Sequence, residues 1–180
     1  FNPAEDQKWH PFDWRTIPLQ RVASDILGLE YREIRPRIDI PSDDLGTPDN
    51  NDLYVSMGMH TTCQAKYWNY PDGWQILVDH INSIGYKVMH ISKECGIYMG
   101  NEPPRDVLDK TGDRSIKLRI KQILNSKIFI GVSSGLSWLA WALNVPTIMI
   151  SGITKSFNEP DSMIKLHNDV LCNGCFNNVN

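Results

Sequence analysis

The chain has 180 residues, 41% of them hydrophobic and 22% charged, with a net charge of −3. That is about one ordinary globular domain, large enough to bury a sizeable core. The slight acidity argues against a nucleic-acid-binding domain, which usually carries a basic stripe, and no apolar run approaches the roughly 20 residues needed to cross a bilayer. The N-terminus, Phe1-Asn2-Pro3-Ala4-Glu5-Asp6, has no apolar core of a signal peptide and no starting Met. It reads as a chain that begins inside a longer protein, with a cytoplasmic location expected.

Residues 1–52 hold six prolines and few apolar runs. One helix is expected from Pro18 to Leu27, stopped by Gly28, because proline suits a helix start and glycine the position just past its end. The stretch from Ser42 to Asn51 is polar and turn-rich, a linker by composition. From residue 53 strands and helices alternate. Leu53–Met57 reads as a strand closed by Gly58. Trp74, Leu77, Val78, Ile81 and Ile84 recur at helical spacing before Gly85. Tyr86–Ile91 is a second strand, and a polar loop runs from Lys93 to Asp113, with Asp113 a candidate N-cap for a helix over Ile116–Leu124. Ile128–Val132, an apolar helix over Leu136–Leu143, and a strand over Thr147–Ile150 follow. Continuously apolar strands alternating with helices predict an α/β, Rossmann-like, mostly parallel sheet with helices on both faces.

Two junctions carry chemistry. Gly131-Val132-Ser133-Ser134-Gly135-Leu136-Ser137 joins a buried strand to an apolar helix. Free amides and the positive end of the helix dipole gather there, at the strand edge where open α/β sheets bind ligands, and phosphate is the natural guest. On the residues alone, the same turn fits equally well a plain helix N-cap with Ser134 as the capping residue. The second junction is His60-Thr61-Thr62-Cys63-Gln64-Ala65-Lys66, past the first strand. Lys66 offers a point charge, and Thr61 and Thr62 offer hydroxyls; taken alone, Lys66 is more simply a solvated loop lysine. Neither junction is a dinucleotide fingerprint or a Walker loop.

Of four cysteines, Cys63 and Cys95 stand alone, while Cys172 and Cys175 form Cys-x-x-Cys. Such a pair is half of a tetrahedral thiolate site, a redox dithiol, or two ordinary thiols. Trp138, Leu139 and Trp141 are read as packing residues.

Taken together, Cys63-Gln64-Ala65-Lys66-Tyr67-Trp68-Asn69 with Gly73-Trp74, Ile130–Leu143 with Val145-Pro146-Thr147, the stretch Pro18–Leu29, Ser151-Gly152 with Asn158-Glu159, and Cys172-Asn173-Gly174-Cys175 resemble, in order, the bacterial autotransporter O-heptosyltransferases, a heptosyltransferase branch of the GT-B glycosyltransferases. The resemblance implies the following expectations. Residues 1–52 would be the end of an N-terminal lobe with its interdomain linker. Residues 53–168 would be the nucleotide-sugar-binding lobe, and 169–180 the start of a cysteine metal finger. An ADP-heptose type of donor would lie on Thr61, Thr62, Lys66 and the Ser133, Ser134, Gly135, Leu136, Ser137 turn. Transfer would be inverting, to Ser or Thr hydroxyls of an autotransporter adhesin, with the general base outside this chain and this piece inactive alone. Cys172 and Cys175 would ligate iron, or zinc, with two further cysteines. Homo-oligomer formation is left open, as are two alternatives: a lipopolysaccharide-type heptosyltransferase, which usually carries an Asp and a His where this chain has Ser133 and Trp138, and a non-catalytic nucleotide-binding or assembly module.

Overall fold

Six short strands form a single all-parallel sheet in the computed structural model, which describes residues 13, 15–41, 53–168 and 170. In chain order the elements are α1 (Leu19–Ile26), β1 (Tyr54–Gly58), α2 (Gly73–Ser83), β2 (Lys87–His90), β3 (Leu108–Asp109), α3 (Ile116–Leu124), β4 (Phe129–Val132), α4 (Gly135–Ala142), β5 (Thr147–Ile150) and β6 (Ile164–Leu166). The strands lie in the order β3-β2-β1-β4-β5-β6. The sheet grows one way from β1 and the other way from β4, the order of a doubly wound nucleotide-binding fold.

Alternation along each strand sends side chains to two cores, which is why these strands read as unbroken apolar runs. Val55, Met57, Val88, Ile130 and Val132 join Trp74, Val78 and Ile81 of α2 on one face. Tyr54, Met89 and Phe129 join Ile123 of α3 and Ala140 of α4 on the other. Trp141 packs with Met149 and Met163, and Trp138 lies against that group, so the tryptophans of α4 are packing residues as expected.

The segment 15–41 does not stand apart from the sheet. Pro18 occupies the N-cap of α1, and Gly28, at φ +67°, takes the left-handed conformation that ends it. The Leu19 amide donates to Asn158 Oδ1 at 3.2 Å, and the Asp161 amide to the Glu33 carboxylate. Arg35 bonds Asn144 and lies 5.7 Å from the Trp141 ring centroid.

Three features depart from the pattern reading. The loop 93–113 contains β3, whose Leu108 and Asp109 pair in parallel with Met89 and His90; two residues are too few to show a period. β6 pairs with β5 as an edge strand whose Ile164 and Leu166 stay exposed, so no buried run announces it. The cap of α3 is Ser115, whose hydroxyl accepts the Leu118 amide at 3.3 Å, while Asp113 is exposed and 4.0 Å from Lys93. The turn-rich stretch expected as a linker lies outside the described residues, as do Cys172 and Cys175.

β1 and β4 end in register at Gly58 and Gly131. A Cβ on Gly131 would sit 2.7 Å from the Gly58 carbonyl oxygen and 2.7 Å from the Phe129 ring, and the first of these is backbone that cannot rotate away. Gly131→Ala is therefore expected to destabilise the fold by about 1–3 kcal/mol, the scale of overpacking. Gly135→Ala, where a Cβ meets nothing within 4 Å, is expected to be neutral. Denaturant midpoints for the two variants check this ordering.

Candidate functional site

The order of the strands reverses between β1 and β4, and the crevice outside the carboxyl ends of strands at such a reversal is where open α/β sheets bind ligands. Because Gly58 and Gly131 are register partners, the chain leaves the two strands side by side. Both junctions singled out in the sequence thus converge on one edge: His60–Lys66 after β1, and Ser133–Ser137 after β4.

On the β4 side, Ser133 is buried and Ser134 holds the N-cap position of α4 in extended backbone. Ser134 makes no side-chain cap bond, and its enclosed Oγ has no hydrogen-bond partner. The first bonds of the helix run from the Ser137 and Trp138 amides to the Ser134 carbonyl, at 3.1 and 3.3 Å. The Gly135 and Leu136 amides therefore precede the ladder, at the positive end of the helix dipole. Gly135 is exposed, with empty space where a Cβ would stand. Ser137 differs: it is fully buried and its hydroxyl donates to the Val132 carbonyl at 2.6 Å, so it braces the turn. The half-buried Leu136 side chain packs beside Phe129.

On the β1 side, Thr61 is buried and Thr62 exposed. The Thr61 amide donates to the Tyr67 hydroxyl at 3.3 Å, and that hydroxyl donates back to the Thr61 carbonyl at 3.0 Å. This clasp closes the loop; burial raises the Tyr67 pKa, and the bond to Thr61 opposes that shift. The clasp presents Lys66, half-buried on the 3₁₀ turn Gln64–Lys66, with no carboxylate partner among the described residues.

Two neighbours were not assigned a role from sequence. His60 is buried; its amide donates to Ser92 Oγ at 3.2 Å and its Nδ1 lies 3.2 Å from the Glu94 carbonyl. A carbonyl only accepts, so Nδ1 carries a proton, while Nε2 is enclosed and without a hydrogen-bond partner. Its adjacency to the Lys66 loop was the one signal available. Glu159, 2% exposed, accepts bonds from Ser151 Oγ and Thr154 Oγ1 and pairs with His167 Nε2 at 3.0 Å. Those bonds brace the loop leaving β5, next to β4, and no sequence pattern marks them. Buried Arg119 plays the same part after β2 and β3, donating to the Ser92, Lys110 and Gly112 carbonyls.

No family model matches the chain. It is 35% identical over 97% of its length to the autotransporter heptosyltransferase BAHTCr of Citrobacter rodentium, covering 42% of that protein. It is 34% identical over 97% of its length to the autotransporter heptosyltransferase TibC of Escherichia coli, covering 43% of it. The chain is similar to autotransporter heptosyltransferases over nearly its whole length. A crystal structure of TibC, described as dodecameric, iron-containing and in complex with ADP-D-beta-D-heptose, superposes with a TM-score of 0.83 over 93% of this chain and 44% of TibC. The chain is also similar to BimC of Burkholderia thailandensis, named an inactive autotransporter heptosyltransferase, 27% identical over 99% of this chain and covered to 42%. The chain thus spans less than half the length of the relatives it matches.

No helix among the described residues is long and apolar enough to cross a membrane. Nor do three His, Cys, Asp or Glu side chains gather among them to hold a metal ion. Cys63 and Cys95 are separate free thiols. The described residues therefore do not supply a metal site, and Cys172 and Cys175 lie outside them.

His90, beside His60 at a ring-centroid distance of 5.2 Å, has its pKa pushed down to about 4 by burial, with the neighbouring His60 adding to the shift. The depressed value means that the folded state resists a proton which the unfolded chain takes up near pH 6.5. Stability is therefore full above about pH 7 and falls as pH drops from 6.5 toward 4, by up to about 3 kcal/mol. Urea midpoints between pH 7 and pH 4.5 are expected to show this slope, and His90→Gln to flatten it.

Proposed function

We propose that this chain is the donor-binding lobe of a glycosyltransferase that moves a heptose from an ADP-activated donor to Ser or Thr hydroxyls of an autotransporter protein, with inversion. One observation supports the reading: the Lys66 turn follows β1 and the open N-terminus of α4 follows β4, the two neighbouring strands at which the strand order reverses. Displacing a sugar from a nucleoside diphosphate builds negative charge on the leaving phosphate, and preorganised positive groups stabilise it. Here the Lys66 ammonium supplies a mobile cation, the Gly135 and Leu136 amides supply fixed donors, and Ser134 Oγ is a hydroxyl not spent on capping. The identity to BAHTCr and TibC, and the ADP-heptose held by TibC, support the donor. The acceptor hydroxyl needs a general base. No residue described here is assigned that role, so the base belongs to the lobe across the crevice, and this chain alone binds donor without transferring it.

A second reading has one observation in its favour. BimC is similar to this chain and is named inactive, so a lobe of this kind can persist in a protein that does not catalyse. Both readings keep the nucleotide site and part only on turnover in the longer protein.

Lys66→Ala is expected to weaken ADP binding by about 1–3 kcal/mol, the scale of a hydrogen bond to a charged group. Calorimetry with ADP on both proteins measures it, and equal affinities would remove Lys66 from the site.

A further inference from the structure

Beside the nucleotide crevice lies a cleft of about 530 Å³ that the reading above does not use. Its lining includes Met59, just past β1, and Trp68, two residues beyond Lys66. Its floor is aromatic. Trp68 and Tyr70 stack at an interplanar angle of 15°, and Trp74 meets Trp68 edge-on at 80°. Gly73 lets the two stacked rings lie flat on the start of α2: a Cβ there would sit 2.9 Å from Trp68 and 3.1 Å from Tyr70. Tyr70 is nonetheless 62% exposed, and Trp68 only half-buried. Trp74 is 7% exposed, and its indole N–H is enclosed without an acceptor.

The opposite wall is fixed rather than loose. The Arg105 amide donates to Gln75 Oε1 at 2.8 Å, and Asn82 Nδ2 donates to the Asp106 carbonyl at 3.1 Å. Tyr98 and Asn101 exchange backbone bonds. Of the four non-glycine residues with positive φ among the described residues, Asp72 lines the cleft, and Met99 and Asp106 bracket its 100–105 wall. Such strain persists where surrounding structure holds it, and it gathers at ligand sites. The rim carries planar polar groups: Asn69, Asn101, Asp72, Glu102 and Arg105.

The chemistry of that lining is selective. Two carboxylates against one guanidinium disfavour a phosphate. An aromatic floor offers an apolar, electron-rich face, and amides and carboxylates around it offer paired hydrogen bonds in the plane of a ring's substituents. The molecule that matches is one with an apolar C–H face and a rim of hydroxyls. We propose that this cleft binds a neutral pyranose ring. The inference goes beyond the nucleotide site and does not require it. The ring has two sources, the sugar of the nucleotide donor or a sugar already attached to the acceptor, and the experiment separates them.

The test is saturation-transfer NMR on the intact protein that carries this chain, with methyl α-mannopyranoside and methyl α-glucopyranoside as probes. Transfer to the ring C–H protons is expected, undiminished by saturating ADP and by Lys66→Ala. Tyr70→Ala, on an exposed ring, is expected to cut it about three- to tenfold, the scale of one aromatic contact, and Tyr70→Phe to retain it; Trp68→Ala gives a second reading of the floor. Calorimetry with ADP-glucose and ADP then assigns the source. A loss in Tyr70→Ala confined to ADP-glucose means the donor's sugar, and no change in either means a separate glycan. No transfer to either probe, transfer unchanged in Tyr70→Ala, or displacement of the probes by ADP would overturn the proposal.

Discussion

Everything at the carboxyl edge of the sheet depends on how closely β1 and β4 approach at their ends. Gly58 and Gly131 stand opposite each other with the Phe129 ring packed over both, and neither position has room for a Cβ. That contact fixes where the two chains leave the sheet. It brings a lysine-bearing turn and a helix N-terminus to one crevice although they lie some seventy positions apart in sequence. The glycines matter here through packing, since neither holds a left-handed conformation. A larger residue would separate the strands and carry Lys66 away from the α4 amides.

Around this contact, buried polar groups serve as struts. Arg119 ties the loops after β2 and β3, and Glu159 ties the loop after β5. The Tyr67 clasp closes the loop after β1. Each strut converts an irregular segment at the carboxyl edge into a fixed wall, and each satisfies a polar group whose burial without a partner would be costly. Ser134 Oγ and His60 Nε2, on the segments that leave β4 and β1, are among the enclosed polar atoms without a hydrogen-bond partner, as is the Trp74 indole N–H. Unsatisfied groups at a site are intelligible as partners reserved for a ligand.

The sheet was largely legible in the sequence because both its faces are covered. Phe129–Val132 and Thr147–Ile150 must be apolar on either side, and α2 shows a clear stripe from Trp74 to Ile81. β3 and β6 were not legible: one has two residues, and the other shows its hydrophobic side chains to solvent. Of the site, the small residues of the β4–α4 turn and Lys66 were visible, because glycine, serine and lysine at a strand's end carry a stated chemistry. The commitment of Ser137 to Val132 was not visible, since a serine reads the same whether its hydroxyl faces ligand or backbone. His60, Glu159 and the aromatic cleft need contacts between distant segments that no local pattern encodes.

The α4 amides and Lys66 are proposed to hold a diphosphate together. Backbone amide shifts of this chain, titrated in parallel with ADP and with adenosine, test this. ADP is expected to move the Gly135 and Leu136 amides and the resonances of Lys66, and adenosine, lacking phosphates, to leave them in place. ADP shifts confined to other segments, or equal shifts with adenosine, would contradict it.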